Sequence, residues 1–533
     1  MRERARLEMT LLAALVGVVV YFGLLGYVDP DLPGHLQYGL DHLAAGRLPV
    51  TDPYSYGGPP GGHRWVNHEW LFEVLLAVLW RAAGPRALVL LQAAAWAATA
   101  LLVLRLIRRS TRDFLPGALA FLGFAAVSYS AMTIRPQMFT FLGYALLLTL
   151  LEEARAGRLG ALVPAAALFV PWVNLHGGFL AGWCVLAAYS TGLVADAWLG
   201  RAPRGDLPAG PGRPGRLAVA ACLATVAAAG GALLNPYGPE LFEFLGESLG
   251  RPRPQISEWR PLRLDGPGVV VLALAAASAA GLLARAARER GARTPLPHAL
   301  VLVATLVVSV RHLRHAPFFA ISAAAFAPGA IAALYRRVAP APDRDVSPAD
   351  VRRVRWLAAL LIAPALALTT WRHPDFLALR LHPGPDLLEM PTGAVEYLAR
   401  ARPAGNLLVE FNWAQLMIFE RPGQPVFYDG RFRTVYPPAT EAAFFAFFDP
   451  HQPPGWRRVL DDFPTDLVLL ERHAPPERPR PAAARLERDP GWWVLYRDAQ
   501  AILFARARPG EEAPTPALGG DPPDSIPFDP SAR

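Results

Sequence analysis

VDPDLPGHLQYGLDHLAAGRLPVTDPYSYGGPPGGHRWVNHEW, residues 28–70, is the stretch on which the reading of the chain turns. It is the longest polar interruption in the first 200 residues, and it follows an apolar run at 10–27. It carries Asp29, Asp31, Asp41, Asp52 and Glu69 together with His35, His42, His63 and His68. Ionisable residues gathered just outside a membrane span mark a functional site; the alternative is a solvated loop with a capped surface helix. Asp31 before Leu32-Pro33 is an N-cap pattern, with Pro in the first turn of a helix ending near Ala45. Leu32, Leu36, Leu40 and Leu43 form one stripe, which places that helix in the membrane interface. Asp31 and His35, four apart, share a face, and Asp29 stands two residues upstream. Carboxylates and an imidazole so grouped suit a divalent cation or, through one Asp, general-base work. Capping alone also accounts for Asp31. His68-Glu69-Trp70 closes the loop, and Trp65 and Trp70 suit an interfacial belt.

The rest of the chain supports a membrane setting. It has 533 residues, 53% of them hydrophobic and 18% charged, with mean hydropathy +0.25. Apolar runs fill the first 371 positions, at 10–27, 86–107, 114–131, 138–151, 160–173, 177–198, 217–234, 267–287, 297–310, 316–334 and 355–371. The net charge of +8 comes from 52 arginines and no lysine, among abundant Ala, Gly and Pro, as a base-composition bias produces. No basic patch interleaved with aromatics is visible, so nucleic acid is excluded as a partner. Both cysteines, Cys184 and Cys222, lie in apolar runs, which excludes a disulfide framework or a zinc spacing. The N-terminus resembles a signal peptide but has no small-residue cleavage site before the acidic loop, and so reads as an uncleaved first span.

Charge sets the orientation. With the N-terminus inside and 70–82 short or re-entrant, the basic loops 105–112, 152–158, 201–216, 285–293 and 336–355 all fall on the cytoplasmic side, as positive-inside requires. That gives eleven spans. The remaining polar motifs then fall outside: the 28–70 loop, Arg135-Pro136-Gln137, 172–178 with Asn174 and His176, Asn235-Pro236-Tyr237-Gly238, Glu258-Trp259, and Arg311-His312-Leu313-Arg314-His315. Arginine forks suit phosphate oxygens; snorkelling at a helix end is the structural alternative.

Composition changes after 371. A helix is expected at 391–402, strands at 406–411, 425–428, 466–470, 492–496 and 501–504, and helical stretches near 439–448 and 455–463. The expected fold class is an all-α polytopic membrane domain (1–371) followed by a small extracytoplasmic α/β domain (376–507). The Pro-rich tail 508–533 is expected to be disordered.

The 29–56 pattern and HRWVNHEWLFEVLL (63–76) resemble the first outer loop of bacterial membrane proteins of the GT-C glycosyltransferase superfamily. That superfamily includes protein mannosyltransferases, aminoarabinose transferases and oligosaccharyltransferases. IRPQMFTFL (134–142), PWVNLHGGFLAG (171–182), LLNPYG (233–238), ISEW (256–259), RHLRHAPFF (311–319), FNWAQLMIF (411–419) and VFYDGRF (426–432) extend the resemblance over most of 9–505. It implies many transmembrane helices and an outward active site in the bacterial cytoplasmic membrane. It also implies a sugar carried on polyprenyl phosphate or diphosphate, and inverting transfer to an outer acceptor. An acid of the first loop, Asp29 or Asp31, would activate the acceptor. A divalent metal, Mg or Mn, assists some members; Asp29, Asp31, His35, Asp52 and His176 are the nearest ligands. Arg135, Arg311 and Arg314, with His312 and His315, would face the donor phosphate. Glu69, His68, Asn174, Asn235 and Tyr237 complete the expected outer face. FNWAQLMIF and PVFYDGR are loosely similar to an oligosaccharyltransferase acceptor motif, but without its paired Trp-Trp-Asp. A strand–helix–strand core with Asp429-Gly430 in a turn is the preferred reading.

Two other classes share these features. A transporter or flippase of lipid-linked sugars also has outward arginines, but transporters carry internal repeats and mid-membrane charges. Here no repeat is visible and the charges sit at span ends. A non-catalytic GT-C-like scaffold in envelope assembly would keep the fold and differ by as little as one acid.

Overall fold

The computed structural model describes residues 2–58, 62–201, 213–249, 257–288, 294–338, 377–381, 390–451, 453–472, 481–510 and 512–519, with single positions between 349 and 367. It divides into two units. One comprises Met1–Tyr27, Leu88–Gly238 and Pro252–Ala378; the other comprises Val28–Ala87, Pro239–Arg251 and Leu379–Arg533. The first outer loop thus packs in the same unit as the C-terminal domain, whereas linear order groups it with the spans.

The first unit is helical. Helices occupy each expected span up to 316–334; the last, 355–371, lies mostly outside the described residues. Among the described residues five helices are long and apolar enough to cross a bilayer, or six if the bent pair Leu313–Phe326 and Pro328–Arg336 is one span. The count of eleven is not reached by this measure, for a physical reason. Leu296–Arg311 has 16 residues, a rise of about 24 Å against a hydrocarbon layer of about 30 Å. The 160–173 span is divided between Leu162–Ala167 and Phe169–Leu175. Segment 70–82 is continuous with the next span in Trp70–Ser110, interrupted by the non-helical Ala83 and Gly84 (φ 62°).

Polar contacts tie together residues in or beside some of the expected basic loops. Arg109 Nη1 donates to Glu153 Oε1 (2.6 Å), and His298 Nε2 lies 2.7 Å from Glu152 Oε1. Leu296 N–H donates to Asp196 Oδ2 (3.1 Å) and Arg336 Nε to Asp113 Oδ2 (2.8 Å).

The second unit is built on a five-stranded sheet. Its strands lie side by side in the order Leu407–Val409, Leu467–Glu471, Ala501–Arg506, Trp492–Arg497 and Ala517–Leu518. The first pair is parallel (Leu407 opposite Leu467), the next two antiparallel, and the last parallel (Tyr496 opposite Ala517). Leu467–Leu470 is buried residue after residue, as a central strand covered on both faces must be. Thr392–Ala401, Phe411–Glu420 and Pro438–Phe448 are the expected helices, and Phe411–Glu420 follows the first strand directly. Segment 425–428 forms only isolated bridges, Val426 pairing with both Leu407 and Ser55. Through it the 51–56 part of the outer loop continues the sheet: Val426 N–H donates to Tyr54 O (3.0 Å) and Tyr56 N–H to Val426 O (3.1 Å). Part of the tail expected to be disordered supplies the strand Ala517–Leu518, whose backbone pairs with the Trp492–Arg497 edge.

A buried ion cluster sits where loop and domain meet within this unit. Arg431 donates from Nη1 to Asp52 Oδ1 (2.6 Å), and from Nη2 and Nε to Asp429 (2.6 and 2.9 Å). Tyr38, Tyr54 and Trp65 place rings 4.9–5.3 Å from its guanidinium carbon. Trp65 is therefore core, not an interfacial belt residue. Burial alone would lower the guanidinium pKa; Asp429 and Asp52 more than reverse this and hold it well above its usual value. Removing the cation leaves two buried carboxylates without it, a loss of roughly 3–5 kcal/mol. Arg431→Met should lower the thermal unfolding midpoint of the detergent-purified protein further than Asp52→Asn, which leaves the Arg431–Asp429 pair in place. Equal and small effects would mean that the cluster is not holding loop to domain.

Candidate functional site

Helix Leu32–Ala45 forms as its sequence predicts, with Pro in the first turn and Gly46 in the left-handed conformation (φ 63°), its N–H donating to His42 O. It does not lie as a one-sided stripe in an interface. It packs on helix Phe411–Glu420, and Leu32, Gly34, Leu36, Tyr38, Gly39 and His42 are all buried. Tyr38 Oη donates to Gln415 Oε1 (2.7 Å), and Gln415 Nε2 to Asp429 Oδ1 (3.3 Å). The acids at the start of the helix are thus braced by the C-terminal part of the chain.

Asp31 stands at the N-cap position, yet its side chain makes no capping hydrogen bond. Its carboxylate lies against Gly430 instead; a Cβ there would stand 2.1 Å from Asp31 Oδ1. Any side chain there would have to displace the Asp31 carboxylate, which gives the Asp429-Gly430-Arg431 turn a reason beyond turn propensity. Asp29 Oδ1 accepts the Asp31 N–H (3.0 Å) and fixes the backbone between them. One turn on, His35 Nδ1 lies 3.1 Å from Glu73 Oε1. His42 Nε2 lies 3.1 Å from the other oxygen of Glu73, to which Asn67 also donates (2.5 Å). Glu69 is 3.9 Å from His35 and 3.7 Å from His68. Burial works against a charged His35, but the bond to Glu73 and the charges of Glu69, Glu73 and Asp31 prevail and raise it to about 9.

Asp52 is spent on Arg431 and on the backbone N–H of Tyr54 (3.0 Å), and His35 on Glu73. Among the described residues no three His, Cys, Asp or Glu side chains are disposed to hold an ion.

In the helical unit a second group forms. Glu258 accepts from Arg135 Nη1 (3.1 Å) and pairs with Arg314 Nη1 (3.4 Å). Arg314 lies over the Trp259 ring (4.6 Å), and His312 Nδ1 is 2.7 Å from Trp259 O. The His315 ring is 5.8 Å from that of His312. Burial alone would raise the Glu258 carboxyl; Arg135 and Arg314 outweigh it and hold it low. Three motifs far apart in sequence therefore meet. Arg311 is exposed at the end of its helix. His176 contacts Thr140 Oγ1 (2.8 Å) and the Gly178 N–H, while Asn174 donates to Leu234 O (2.9 Å) and Asn235 to Ala232 O. Tyr237 gives its backbone N–H to Asn235 Oδ1 (2.8 Å). Asn174 and Asn235 shape a turn by these bonds.

Sequence reading did not single out Arg431, Gln415, His42 or Glu73 as site residues. Glu73 had a signal, a lone acid in the apolar run 70–82.

No family model and no curated protein matches the chain. Solved structures do. The oligosaccharyltransferase of Archaeoglobus fulgidus aligns over 86% of this chain and 69% of its own, with TM-score 0.51 at 14% identity. The fold is GT-C-like. Arabinofuranosyltransferase AftD from Mycobacteria aligns over 94% of this chain and 40% of its own, with TM-score 0.50 at 17% identity. ArnT from Cupriavidus metallidurans aligns over 93% and 97%, with TM-score 0.48 at 16% identity.

His35 gains a charge partner on folding, and its folded value lies above the ordinary 6.5. Its contribution to stability is therefore complete below that value and is lost as pH rises through about 9. The unfolding midpoint should fall across this alkaline range, and in Glu73→Gln the fall should move toward neutrality. A midpoint flat from neutrality past pH ~9 would refute a charged His35.

Proposed function

We propose that the chain is an integral membrane glycosyltransferase of the cytoplasmic membrane that moves a sugar from a polyprenyl-phosphate-linked donor to an outer acceptor. The observation that carries this reading is Asp31 in a GT-C-like fold: an acid at the start of the first-loop helix that does not cap it and is held against Gly430.

The chemistry follows. Asp31 takes the proton of the acceptor nucleophile as it attacks the anomeric carbon. The bond from that carbon to the phosphate oxygen breaks with inversion, and negative charge grows on the leaving polyprenyl phosphate. Arg135 and Arg314 both face Glu258, and their guanidinium forks suit the oxygens of a phosphate. Donors aimed at developing charge contribute most in a site shielded from water. An outward-facing sugar transferase needs a lipid carrier, since nucleotide sugars are cytoplasmic.

The test is sugar transfer from labelled polyprenyl-linked donors by protein in nanodiscs, with and without Mg or Mn. Asp31→Asn should lower kcat by at least about 100-fold, the typical loss for a general base. Arg135→Ala with Arg314→Ala should lower kcat as well as donor affinity. Turnover equal to wild type in Asp31→Asn would sink the assignment. Tight donor binding without turnover in any variant would favour transport or a scaffold.

A further inference from the structure

Turns favour glycine for its left-handed freedom, but in VFYDGRF (426–432) that is not what Gly430 provides. Its backbone has no positive φ; the left-handed residue of the turn is Phe432 (φ 48°). The conformational demand thus falls on a residue with a bulky side chain, while glycine stands where the backbone does not require it. A conformation so unfavourable for Phe persists only where its surroundings over-determine it. Here they do. The Phe432 N–H donates to Asp429 O (3.2 Å) and the Tyr436 N–H to Phe432 O (3.0 Å). Asp429 Oδ1 accepts the Arg431 N–H (2.9 Å), and the Phe432 ring packs on Phe411 at 5.0 Å. The chain around Gly430 is therefore fixed.

What requires the glycine is space. The atoms nearest to a Cβ there would be Asp31 Oδ1 (2.1 Å), Asp31 Cγ (3.0 Å) and Gln415 Nε2 (3.3 Å). A carbon–carbon bond is about 1.5 Å long, so Asp31 Oδ1 lies within about 3.6 Å of the Gly430 α-carbon. Gln415, 3% exposed, stands behind the same point. The Asp429 carboxylate only accepts, so the Gln415 amide nitrogen faces it (3.3 Å) and the amide oxygen takes the Tyr38 hydroxyl (2.7 Å). Helix Leu32–Ala45 comes so near that a Cβ on Gly34 would overlap Gln415 Oε1. Two glycines and one glutamine thus bring the start of that helix against the 429–432 turn.

We propose that Gly430 is a positioning residue for Asp31: its bare α-carbon is the stop against which the Asp31 carboxylate is set, so the C-terminal domain aims a base carried by the outer loop. The inference rests on the reading of Asp31 given above. Gly430 brings no side-chain proton, charge or hydrogen bond to the reaction; it fixes where one oxygen of the base can be. A carbon–oxygen contact is comfortable from about 3.3 Å, so a methyl group at 430 drives Asp31 Oδ1 back by about 1 Å. A misplacement of that size costs about 100-fold in rate. Because the acid acts on the acceptor proton, the loss falls on kcat and not on donor affinity.

The experiment is sugar transfer from labelled polyprenyl-linked donor in nanodiscs by wild type, Gly430→Ala, Asp31→Asn and the double variant. Gly430→Ala should lower kcat by about 100-fold with donor KM unmoved. In the Asp31→Asn background the same substitution should change kcat by less than about twofold, since the group it displaces no longer acts. Equal losses in both backgrounds would mean that Gly430 acts on the fold and not through Asp31, and would overturn the proposal. So would a Gly430→Ala enzyme as fast as wild type. Should alanine prevent folding, Gln415→Asn, which shortens the brace by one methylene, should lower kcat in a way that likewise vanishes with Asp31→Asn. A cryo-EM structure of Gly430→Ala should show the Asp31 carboxylate moved off the turn, with Arg431 still bonded to Asp52 and Asp429. A carboxylate in its original place overturns the proposal whether or not transfer is seen. Absence of transfer in wild type would instead overturn the glycosyltransferase reading.

Discussion

A single buried guanidinium governs the sheet-bearing unit of this protein. Arg431 faces two carboxylates, Asp52 and Asp429, 377 positions apart in the chain, within a cage of Tyr38, Tyr54, Trp65 and Tyr436. Charges removed from water are tolerated only when each has its partner and its hydrogen bonds. That condition fixes the distance between the outer loop and the C-terminal sheet. It also explains why the loop can be exact without regular structure: Asp52 is placed by a charge, and Asp31 by a helix braced through Tyr38 and Gln415 against the same Asp429.

Much of this architecture was legible from periodicity and punctuation. The helix at 32–45 was marked by Asp31 and Pro33, and the strands near 467, 492 and 501 by short apolar runs between turns. Charge alone groups the five basic loops; among the described residues Glu153, Glu152, Asp196 and Asp113 hold groups in or beside them. What local pattern could not convey was partnership. Nothing near Arg431 points to Asp52, and the Leu stripe of helix 32–45 looks the same whether it meets lipid or another helix. The strand at 517–518 is too short, in too Pro-rich a context, to register as one; it exists because an edge at 492–497 is there to pair with. The same limit applies to Asp31, where a cap pattern and a different use of the side chain are spelled identically.

The helical unit separates its polar groups by kind. Glu153, Glu152 and Asp113 each face a basic group, Arg109, His298 and Arg336. Around Glu258 and Trp259 the grouping is different: Arg135 and Arg314 share one acid, and the His312 and His315 rings pack on Trp259.

Asp52 and Arg431 are also separated in time. A ribosome adding about 5–20 residues each second needs roughly 20 to 75 s to travel the 379 positions between them. For that interval the outer loop exists without its cation, and a carboxylate that will end up dry must stay wet. The loop therefore cannot close early around Tyr38 and Trp65. Assembly of the acid-bearing helix waits for the last quarter of the chain, so a truncated product that lacks it presents Asp31 on an unbraced segment.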